Sequence, residues 1–328
     1  MHGGRLRAIL GTLALLAGIA GLLFNEWRIG RLDRGMADLR ALTVDADPMA
    51  ADLPSDRPLR LSGRATSATV LVDPVLPVRA QALRLDRVAE MFQHEVRDGV
   101  LVDRTMRPKR IWSERLMDSS RFANRSPINP GHMPITSLRQ RAEDARLGRL
   151  VLPAEAINAL PASLSVTPER PGPVTIDGTT FQRTGDGYQS GDSRASPAIG
   201  DVRIRIAAVP AGQITVIGGV SDGRIVPWRT AGDLPLLLAA EGGPSVVQMT
   251  RSAAQAAAPG LWQGRLGGGA VSLFGLLVLW PRRSVPAPRL VTLCGRHPIG
   301  GPMVAALSMV AAVAALGWAL FRNPLLWP

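Results

Sequence analysis

The chain has 328 residues, a formal net charge of +12 and a mean hydropathy of +0.12, which is high for a soluble protein. Half of the charge lies in short segments outside residues 59–258, and nearly all basic residues are arginine, since Lys109 is the only lysine. This distribution argues against a nucleic-acid-binding surface, which needs its basic charge on the folded domain. The single cysteine, Cys294, excludes an internal disulfide.

The apolar stretch Ala8–Phe24 contains 17 residues, and only Thr12 among them has a polar side chain. A helix of this length approaches the ~30 Å hydrocarbon thickness of a bilayer, because each residue adds about 1.5 Å. Asn25-Glu26-Trp27-Arg28 follows without the small residues of a cleavage site, which favours a retained anchor over a signal peptide. Two pairs of small residues have the spacing that permits close helix contact: Ala14/Gly18 and Ala17/Gly21.

After the first span, apolar residues recur at helical spacing, at Ile29, Leu32, Met36 and Leu39. This pattern predicts an amphipathic helix that continues as a stalk or lies on the membrane interface. Residues 45–58 are acidic and contain proline, and are predicted to be a linker.

Residues 59–258 are predicted to form a β-rich α+β domain. Val202–Ile206 alternates apolar and polar residues strictly, as a half-buried strand does, with Ile204 facing the core. Shorter runs of β type are Ala68–Val72, Val78–Val88, Ile214–Ile217, Arg224–Trp228 and Leu236–Ala239.

Two helices and a hairpin region are also predicted in this domain. Ser137 and Gln140 form a capping box and Gly148 is a stop signal, so a helix is expected between them. A shorter helix is expected over Ala154–Leu160, after Pro153. Residues 172–197 are rich in Gly, Ser, Asp and Thr, which predicts hairpins and an exposed loop.

Leu261–Trp280 is predicted to be a second span if Arg265 snorkels to the interface, and Met303–Phe321 a third. Residues 281–302 contain four arginines and no acidic residue. The positive-inside rule therefore predicts that this loop and the N-terminus lie in the cytoplasm. The expected order is a cytoplasmic N-terminus (1–7), a span (8–24), stalk and linker (25–58), an extracytoplasmic domain (59–258), a span (259–280), a cytoplasmic loop (281–302), a span (303–321) and an outer tail (322–328).

Eleven segments carry a resemblance to a known family, all in the same order along the chain: Asn25-Glu26, Leu61-Ser62-Gly63, Val72-Asp73-Pro74, residues 82–93, Trp112, residues 118–122, Asn129-Pro130, Gly148-Arg149, residues 200–203, Val226-Pro227-Trp228 and Trp262-x-x-Arg265. Together they resemble the LUMA family of membrane proteins, whose systematic name is transmembrane protein forty-three. Phe92, His94 and Ile128 depart from the family pattern, and the family has four spans where three are expected here.

The resemblance implies a first span, a large extracytoplasmic domain and clustered later spans. For animal members, the resemblance implies a role in organising the inner nuclear membrane, with lamins and emerin as partners. A channel role has also been proposed for the family. The composition, rich in Ala, Gly, Pro and Arg, suggests a bacterial member, whose expected location is the inner membrane with the domain in the periplasm.

Catalytic and metal sites are not indicated. The candidate side chains are Ser119, Ser120, His94 and His132, and no nucleophile elbow frames the serines. The four histidines lack the spacing of metal ligands, so no cofactor is expected.

Six charged residues are candidates for contact with a partner or lipid headgroup: Arg84, Arg87, Glu90, Arg121, Arg282 and Arg283. The first three lie on one predicted strand, and the alternative for them is a solvated sheet face or internal ion pairs. Arg282 and Arg283 lie in the basic loop, where the alternative is a topology signal alone.

The sequence therefore predicts a non-enzymatic integral membrane protein that scaffolds or senses membrane components through its extracytoplasmic domain. Membrane lipids, other membrane proteins or a second copy are the expected partners, and nucleic acid is not. The alternative is a channel-forming oligomer, although polar side chains well inside the spans are few, namely Thr12, Ser272 and Ser308, with Arg265 near an end. A membrane-bound hydrolase is the third candidate.

Overall fold

The computed structural model describes residues 2–97, 100–101, 109–120, 128–170, 172–185, 187–191 and 196–279, with Ser308 and Val313. The elements are α1 (His2–Leu42), β1 (Val44–Ala46), β2 (Leu59–Thr66), β3 (Val70–Val72), β4 (Arg79–His94), β5 (Val96–Arg97), β6 (Val100–Leu101), β7 (Arg110–Ser113), β8 (Leu138–Arg141), β9 (Arg146–Leu147), β10 (Leu150–Val151), α2 (Ala154–Ala159), β11 (Leu164–Ser165), β12 (Val174–Ile176), β13 (Thr179–Thr184), β14 (Gly187–Ser190), β15 (Val202–Pro210), β16 (Gly212–Ser221), β17 (Arg224–Val226), β18 (Trp228–Arg229), β19 (Pro235–Leu236), β20 (Leu238–Glu241) and α3 (Val246–Leu279).

The chain divides into two compact units. The helical unit comprises Met1–Thr43, Pro227–Leu236 and Ser245–Pro328, and the β unit comprises Val44–Val226 and Leu237–Pro244. The basic loop 281–302 lies outside the described residues. So does the third span predicted at Met303–Phe321, apart from Ser308 and Val313, which are helical.

In the helical unit, α1 and α3 pack antiparallel, because Gly11 lies against Leu279 while Asn25 lies against Gly264. Their backbones approach closely at glycines. A Cβ on Gly18 would lie 2.6 Å from the backbone nitrogen of Ser272, and one on Gly275 would lie 2.5 Å from that of Leu15. Only glycine allows this approach, which is how helices pack in lipid.

The contact face of α1 differs in part from the one predicted by small-residue spacing. Gly18 is in the contact, as expected, but Ala17 and Gly21 are exposed, and nothing lies within 4 Å of the position of a Cβ on Gly21. Gly11 and the buried Leu22 belong to the contact instead. The interface therefore follows a stripe with steps of three, four or seven residues rather than two GxxxG-like pairs.

One helix within the described part of the chain is long and apolar enough to cross a membrane. It is Arg5–Leu42, whose most apolar window has a mean hydropathy of 2.0 and is 17% buried. It continues past the apolar run to Leu42 without interruption, and Met36 and Leu39 are buried on it, in agreement with the predicted amphipathic helix. The predicted second span is helical up to Leu279, but it is not among the helices whose length and mean hydropathy suffice to cross a membrane. The second span therefore stays a prediction.

The nine-stranded sheet of the β unit is built around β4. Strand β15 pairs antiparallel along one edge of β4, with Ile204 opposite Ala89, and β3, β8 and β7 pair in succession along the other edge. Beyond β15, the strands β14, β13 and β12 continue as hairpins, one of which turns at Asp177-Gly178 with positive φ at both residues. The predicted strand over Val202–Ile206 and the predicted hairpins are confirmed.

A seven-stranded sheet accompanies it, in the order β1-β2-β9-β10-β17-β16-β20, and a further β2–β16 pairing closes five of its strands into a ring. β1 pairs parallel with β2, so the acidic stretch expected to be only a linker contributes a strand. The core of the β unit contains fully buried side chains such as Leu61, Leu83, Phe181 and Tyr188. The fold is therefore the expected β-rich α+β type.

One predicted helix is wrong and the other is confirmed. Between Ser137 and Gly148 the chain forms β8 and β9, and Gly148 takes a φ of +59° in the turn before β10. The hydroxyl of Ser137 accepts a bond from the Ala89 amide, so it fixes β8 beside β4 instead of capping a helix. Pairing with β4 outweighs a local capping pattern here. Helix α2 follows Pro153 as predicted.

Candidate functional site

Strand β4 carries three of the six predicted contact residues. Because side chains alternate along a strand, Arg84 and Glu90 point to one face of the sheet and Arg87 points to the other. Arg121, Arg282 and Arg283 lie outside the described residues.

Arg87 is buried in an internal ion pair. It is 5% exposed, and it binds the Asp73 carboxylate at 2.5 Å and the carbonyl oxygen of Thr136 at 3.0 Å. The same carboxylate accepts the amides of Val75 and Leu76, so the pair ties the turn after β3 to the central strand. This is the internal arrangement that the sequence left open as the alternative to partner contact.

Arg84 is equally enclosed, at 4% exposure. Its guanidinium bonds to both carboxylate oxygens of Asp86, at 3.1 and 3.0 Å, and donates to the carbonyls of Ile157 and Asn158 at 2.8 and 3.0 Å. These carbonyls belong to the last residues of α2, where helix carbonyls lack intrahelical partners. Arg84 therefore anchors α2 to the sheet.

Glu90 belongs to an open surface instead. Its Oε2 accepts a bond from Arg203 Nε at 2.9 Å and from Arg205 Nη2 at 3.1 Å. The Arg203 guanidinium also lies 4.5 Å from the centroid of the Trp112 ring. The Arg203 and Arg205 side chains are 36% and 56% exposed, whereas that of Glu90 is 15% exposed. The carboxylate thus holds two arginines that remain open to solvent.

Aromatic rings extend this surface along β4 and β7. Phe92 and Trp112 are cross-strand partners with ring centroids 5.2 Å apart, and Arg110 lies 5.9 Å from the Phe92 ring. Six residues on β4, β7 and β15 thus form what we term the arginine–aromatic surface: Glu90, Phe92, Arg110, Trp112, Arg203 and Arg205. Three arginines against one glutamate give it a net positive charge.

A buried network lies beside this surface and contains two of the catalytic candidates. The Ser119 hydroxyl accepts the Asn129 amide at 2.6 Å. The Asn129 side chain accepts the main-chain amide of His94 at 2.7 Å and donates to the carbonyls of His94 and Met117, both at 3.0 Å. Asn129 thereby holds two loop segments against the end of β4 through main-chain groups.

The four catalytic candidates do not share one place. Ser120 is exposed in a turn closed by Asp118, and His132 pairs with Asp177 at 2.8 Å with both side chains exposed. Burial lowers the pKa of His94, and the charge of Arg110 lowers it further, so the neutral imidazole is favoured. Across the ranges that the structure describes, no group of three His, Cys, Asp or Glu side chains could hold a metal ion.

The comparison with known proteins identifies the family. A sequence profile of the family Transmembrane protein 43 matches residues 90–323, well over half of the chain. The chain belongs to this family. Its resemblance to the LUMA type is therefore confirmed, and with it the assignment as a membrane protein.

Individual members of the transmembrane protein 43 family match nearly the whole chain. The Drosophila melanogaster Transmembrane protein 43 homolog is 28% identical over 342 residues, which cover 96% of this chain and 89% of that protein. Transmembrane protein 43 of Mus musculus is 23% identical over 348 residues, and that of Rattus norvegicus is 24% identical over 352 residues. Each covers 96% of this chain and 84% of the relative. No solved structure matches.

The region that matches the transmembrane protein 43 profile begins at Glu90. It includes all six residues of the arginine–aromatic surface and the whole of α3.

In this member of the transmembrane protein 43 family, a second polar site lies between α1 and α3. Arg265 forms a bidentate ion pair with Glu26, with Nε–Oε1 at 2.6 Å and Nη2–Oε2 at 2.9 Å. The Glu26 side chain is 2% exposed, and the guanidinium lies 5.0 Å from the Trp262 ring. The neighbouring Asn25 donates to the Leu261 carbonyl at 3.0 Å.

Glu26 and Arg265 each belong to a segment that the sequence singles out, but the sequence did not predict the ion pair between them. The available signal was that each lies at the edge of an apolar stretch, where an ionisable side chain needs a partner. Their pairing sets the register of α1 against α3.

Proposed function

We propose that this chain is a non-enzymatic membrane protein that scaffolds or senses other membrane components through the arginine–aromatic surface of its β unit. The observation that carries the proposal is the state of Arg203. Its guanidinium is held by Glu90 and by the face of Trp112, yet its side chain is one-third exposed. A guanidinium fixed in this way loses little conformational entropy when it binds a further carboxylate or phosphate.

The composition of the surface supports the same function. Tryptophan and arginine are the residues most enriched among those that dominate binding energy in protein interfaces. The surface presents both types side by side and is open, whereas Arg84 and Arg87 are enclosed. An acidic segment of another envelope or membrane protein has the chemistry that fits this surface.

The non-enzymatic part of the proposal rests on how the candidate nucleophiles are used. The Ser119 hydroxyl is buried and engaged by the Asn129 amide. Ser120 and His132 lie on exposed turns with their own local partners. These contacts support a structural role for the three side chains, in which they stabilise the loops that carry them.

The experiment is site-specific photocrosslinking in native membranes. A photoreactive amino acid replaces Arg205 in one variant and Arg64, an exposed arginine of β2, in the matched control. We expect position 205 to yield a discrete crosslinked protein that position 64 does not, and Trp112→Ala to abolish it. Equal patterns at the two positions, or none at position 205, would contradict the proposal.

We also propose that the β unit lies on the extracytoplasmic side, in the periplasm of a bacterial inner membrane. Arg5 and Arg7 precede the first span without an acidic residue, which favours a cytoplasmic N-terminus. In a Cys294→Ser background, the thiol introduced by Arg64→Cys should react with a membrane-impermeant thiol reagent on intact cells. Reaction only after the cells are opened would place the β unit in the cytoplasm.

The channel alternative is tested separately. On the described helices, the polar side chains in the spans are few, and Ser272 is buried against Gly18 rather than exposed along a pore. Purified protein in liposomes should therefore give no selective single-channel currents. Reproducible selective currents would make the channel the function.

A further inference from the structure

A groove lies on one side of the α1/α3 pair within the helical unit. Its volume is about 420 Å³, within the range of small-molecule sites. On α1 it is lined by Trp27, Arg28, Arg31 and Leu32, and on α3 small residues such as Ala257 and Gly260 leave it open.

The position of this groove corresponds to the headgroup level of a bilayer crossed by α1. Arg28 follows the last residue of the apolar run, Phe24, by four positions, which is about 6 Å along a helix. Trp27 and Trp262 are exposed at this level, where tryptophan anchors lie. A ligand in the groove can therefore keep its apolar part in the hydrocarbon.

The residues that line the groove carry a net positive charge, from Arg28 and Arg31. Arg31 donates to the carbonyl oxygens of Gly232 and Asp233, at 3.1 and 2.9 Å, and lies 5.4 Å from the Trp27 ring. Both acceptors are main-chain oxygens, and the Asp233 carboxylate pairs with Arg229 at 2.6 Å. Within the described part of the chain, the Arg31 guanidinium is therefore oriented without an ion pair. Arg28 is exposed beside it, and the residues that line the groove include no acid.

The remaining lining is apolar. Leu32, Leu234 and Leu261 contribute the leucine side chains of the groove, next to the two arginines. A ligand that matches this arrangement has an anionic phosphate at one end and hydrocarbon at the other. All phospholipids have a phosphate and acyl chains, but only those with a net negative headgroup match two arginines in a lining that contains no acid.

We propose that this groove is a binding site for one anionic phospholipid, with its phosphate on Arg28 and Arg31 and its glycerol and acyl ends against the leucines. The inference rests on the membrane placement of α1 that the proposed function uses. It adds to that function a specific lipid bound between α1 and α3 at the headgroup level.

The test uses the full chain, purified in mild detergent, and native mass spectrometry to count bound lipid. The probes are phosphatidylglycerol, phosphatidylcholine and inorganic phosphate. We expect a single phosphatidylglycerol to be retained at least about fivefold more tightly than phosphatidylcholine, from the attraction of an arginine for anionic lipid. Millimolar inorganic phosphate should not displace it, because the acyl contacts are absent from that ion.

Two variants locate the site. Gly260 lines the groove, and a Cβ at this position would have nothing within 4 Å. Gly260→Leu should therefore place its side chain in the groove and abolish the preference for phosphatidylglycerol. Its matched control is Gly267→Leu, which is equally unobstructed on the same helix but outside the groove. Arg28→Gln should weaken phosphatidylglycerol binding about fivefold, whereas Arg251→Gln, an exposed arginine of α3 outside the groove, should not.

Equal phosphatidylglycerol binding by Gly260→Leu and Gly267→Leu would overturn the proposal, as would equal retention of the two lipids by the unaltered chain. Displacement by inorganic phosphate would show a free-anion site and would also overturn it. Crosslinking through position 205 is measured separately, in native membranes that contain the unaltered chain or Gly260→Leu. Failure of the lipid site and failure of the proposed scaffold are therefore distinguished.

Discussion

The helical unit and the β unit each bury an ion pair, but the apolar surroundings of the two pairs differ. The β unit encloses Arg87–Asp73 beside a core of fully buried side chains such as Leu83 and Phe181. In the helical unit, by contrast, Leu10, Leu13 and Leu16 of α1 are more than half exposed, and its helices meet at glycines.

The difference follows from the solvent of each unit. Burying an apolar side chain away from water is favourable, so the β unit gains stability from its core. A leucine that moves from lipid to protein gains little, so close backbone packing and a polar contact must define the helix pair. Substitutions should therefore act by different mechanisms in the two units.

The largest expected effect is in the β unit. Ile204→Asp buries an unpaired carboxylate at a position that is 1% exposed, and should cost about 4 kcal/mol or more. Hydrogen exchange should then show loss of protection across β4 and β15 while α1 stays protected. Arg205 is next to Ile204 and faces outward, so Arg205→Gln should change the free energy of unfolding by less than about 0.5 kcal/mol. Equal tolerance of the two changes would mean that the strand register is wrong.

A somewhat smaller effect is expected at the ion pair of the helical unit. Glu26→Ala leaves Arg265 without its carboxylate, at a cost of about 3 kcal/mol in the stability of the helix pair. The measurement is the exchange protection of α3 in detergent. Exchanging the two charges, with Glu26→Arg and Arg265→Glu together, should restore part of the protection. No loss in Glu26→Ala would show that the pair does not set the register.

Close packing at glycine is tested by a matched pair on α3. Leucine at position 275 must displace the backbone of α1, so Gly275→Leu should cost about 1–3 kcal/mol. Gly267→Leu meets open space and should be neutral or slightly stabilising, because leucine favours the helix. Thermal unfolding of the two variants in the same detergent gives the comparison. If position 267 proves the more sensitive, the helices pack through a different face.

The smallest effect concerns an exposed carboxylate of the β unit and depends on pH. The Ser67 hydroxyl, with help from Thr69 and the Ala68 amide, lowers the pKa of Asp144 from 3.8 to about 2. Because the folded-state pKa is lowered, this stabilisation is complete above pH 3.8 and is lost as the pH falls towards 2. Asp144→Asn should thus lose less stability than the unaltered chain between pH 5 and about pH 2. An identical acid dependence would assign the effect to other groups.

Local patterns explain which elements could be predicted. The alternation over Val202–Ile206 and the hairpins with Asp-Gly turns depend on neighbouring residues alone, and both are confirmed. The pattern from Ser137 to Gly148 is also local, but its helix prediction is wrong because Leu138–Arg141 gains more from pairing with β4. A capping box contributes too little to decide such a competition.

The sequence by itself determined the N-terminal helix that is apolar enough to cross a membrane, the β-rich class and the family resemblance. Hydropathy, alternation and ordered motifs are all properties of nearby residues. Tertiary structure decided the sites. Glu26 meets Arg265 across 239 positions, and Glu90 meets Arg203 across 113. Such partners are brought together by helix packing and strand register. Whether an arginine becomes a buried anchor like Arg84 or an exposed side chain like Arg205 therefore depends on the folded neighbours rather than on the residues beside it in the chain.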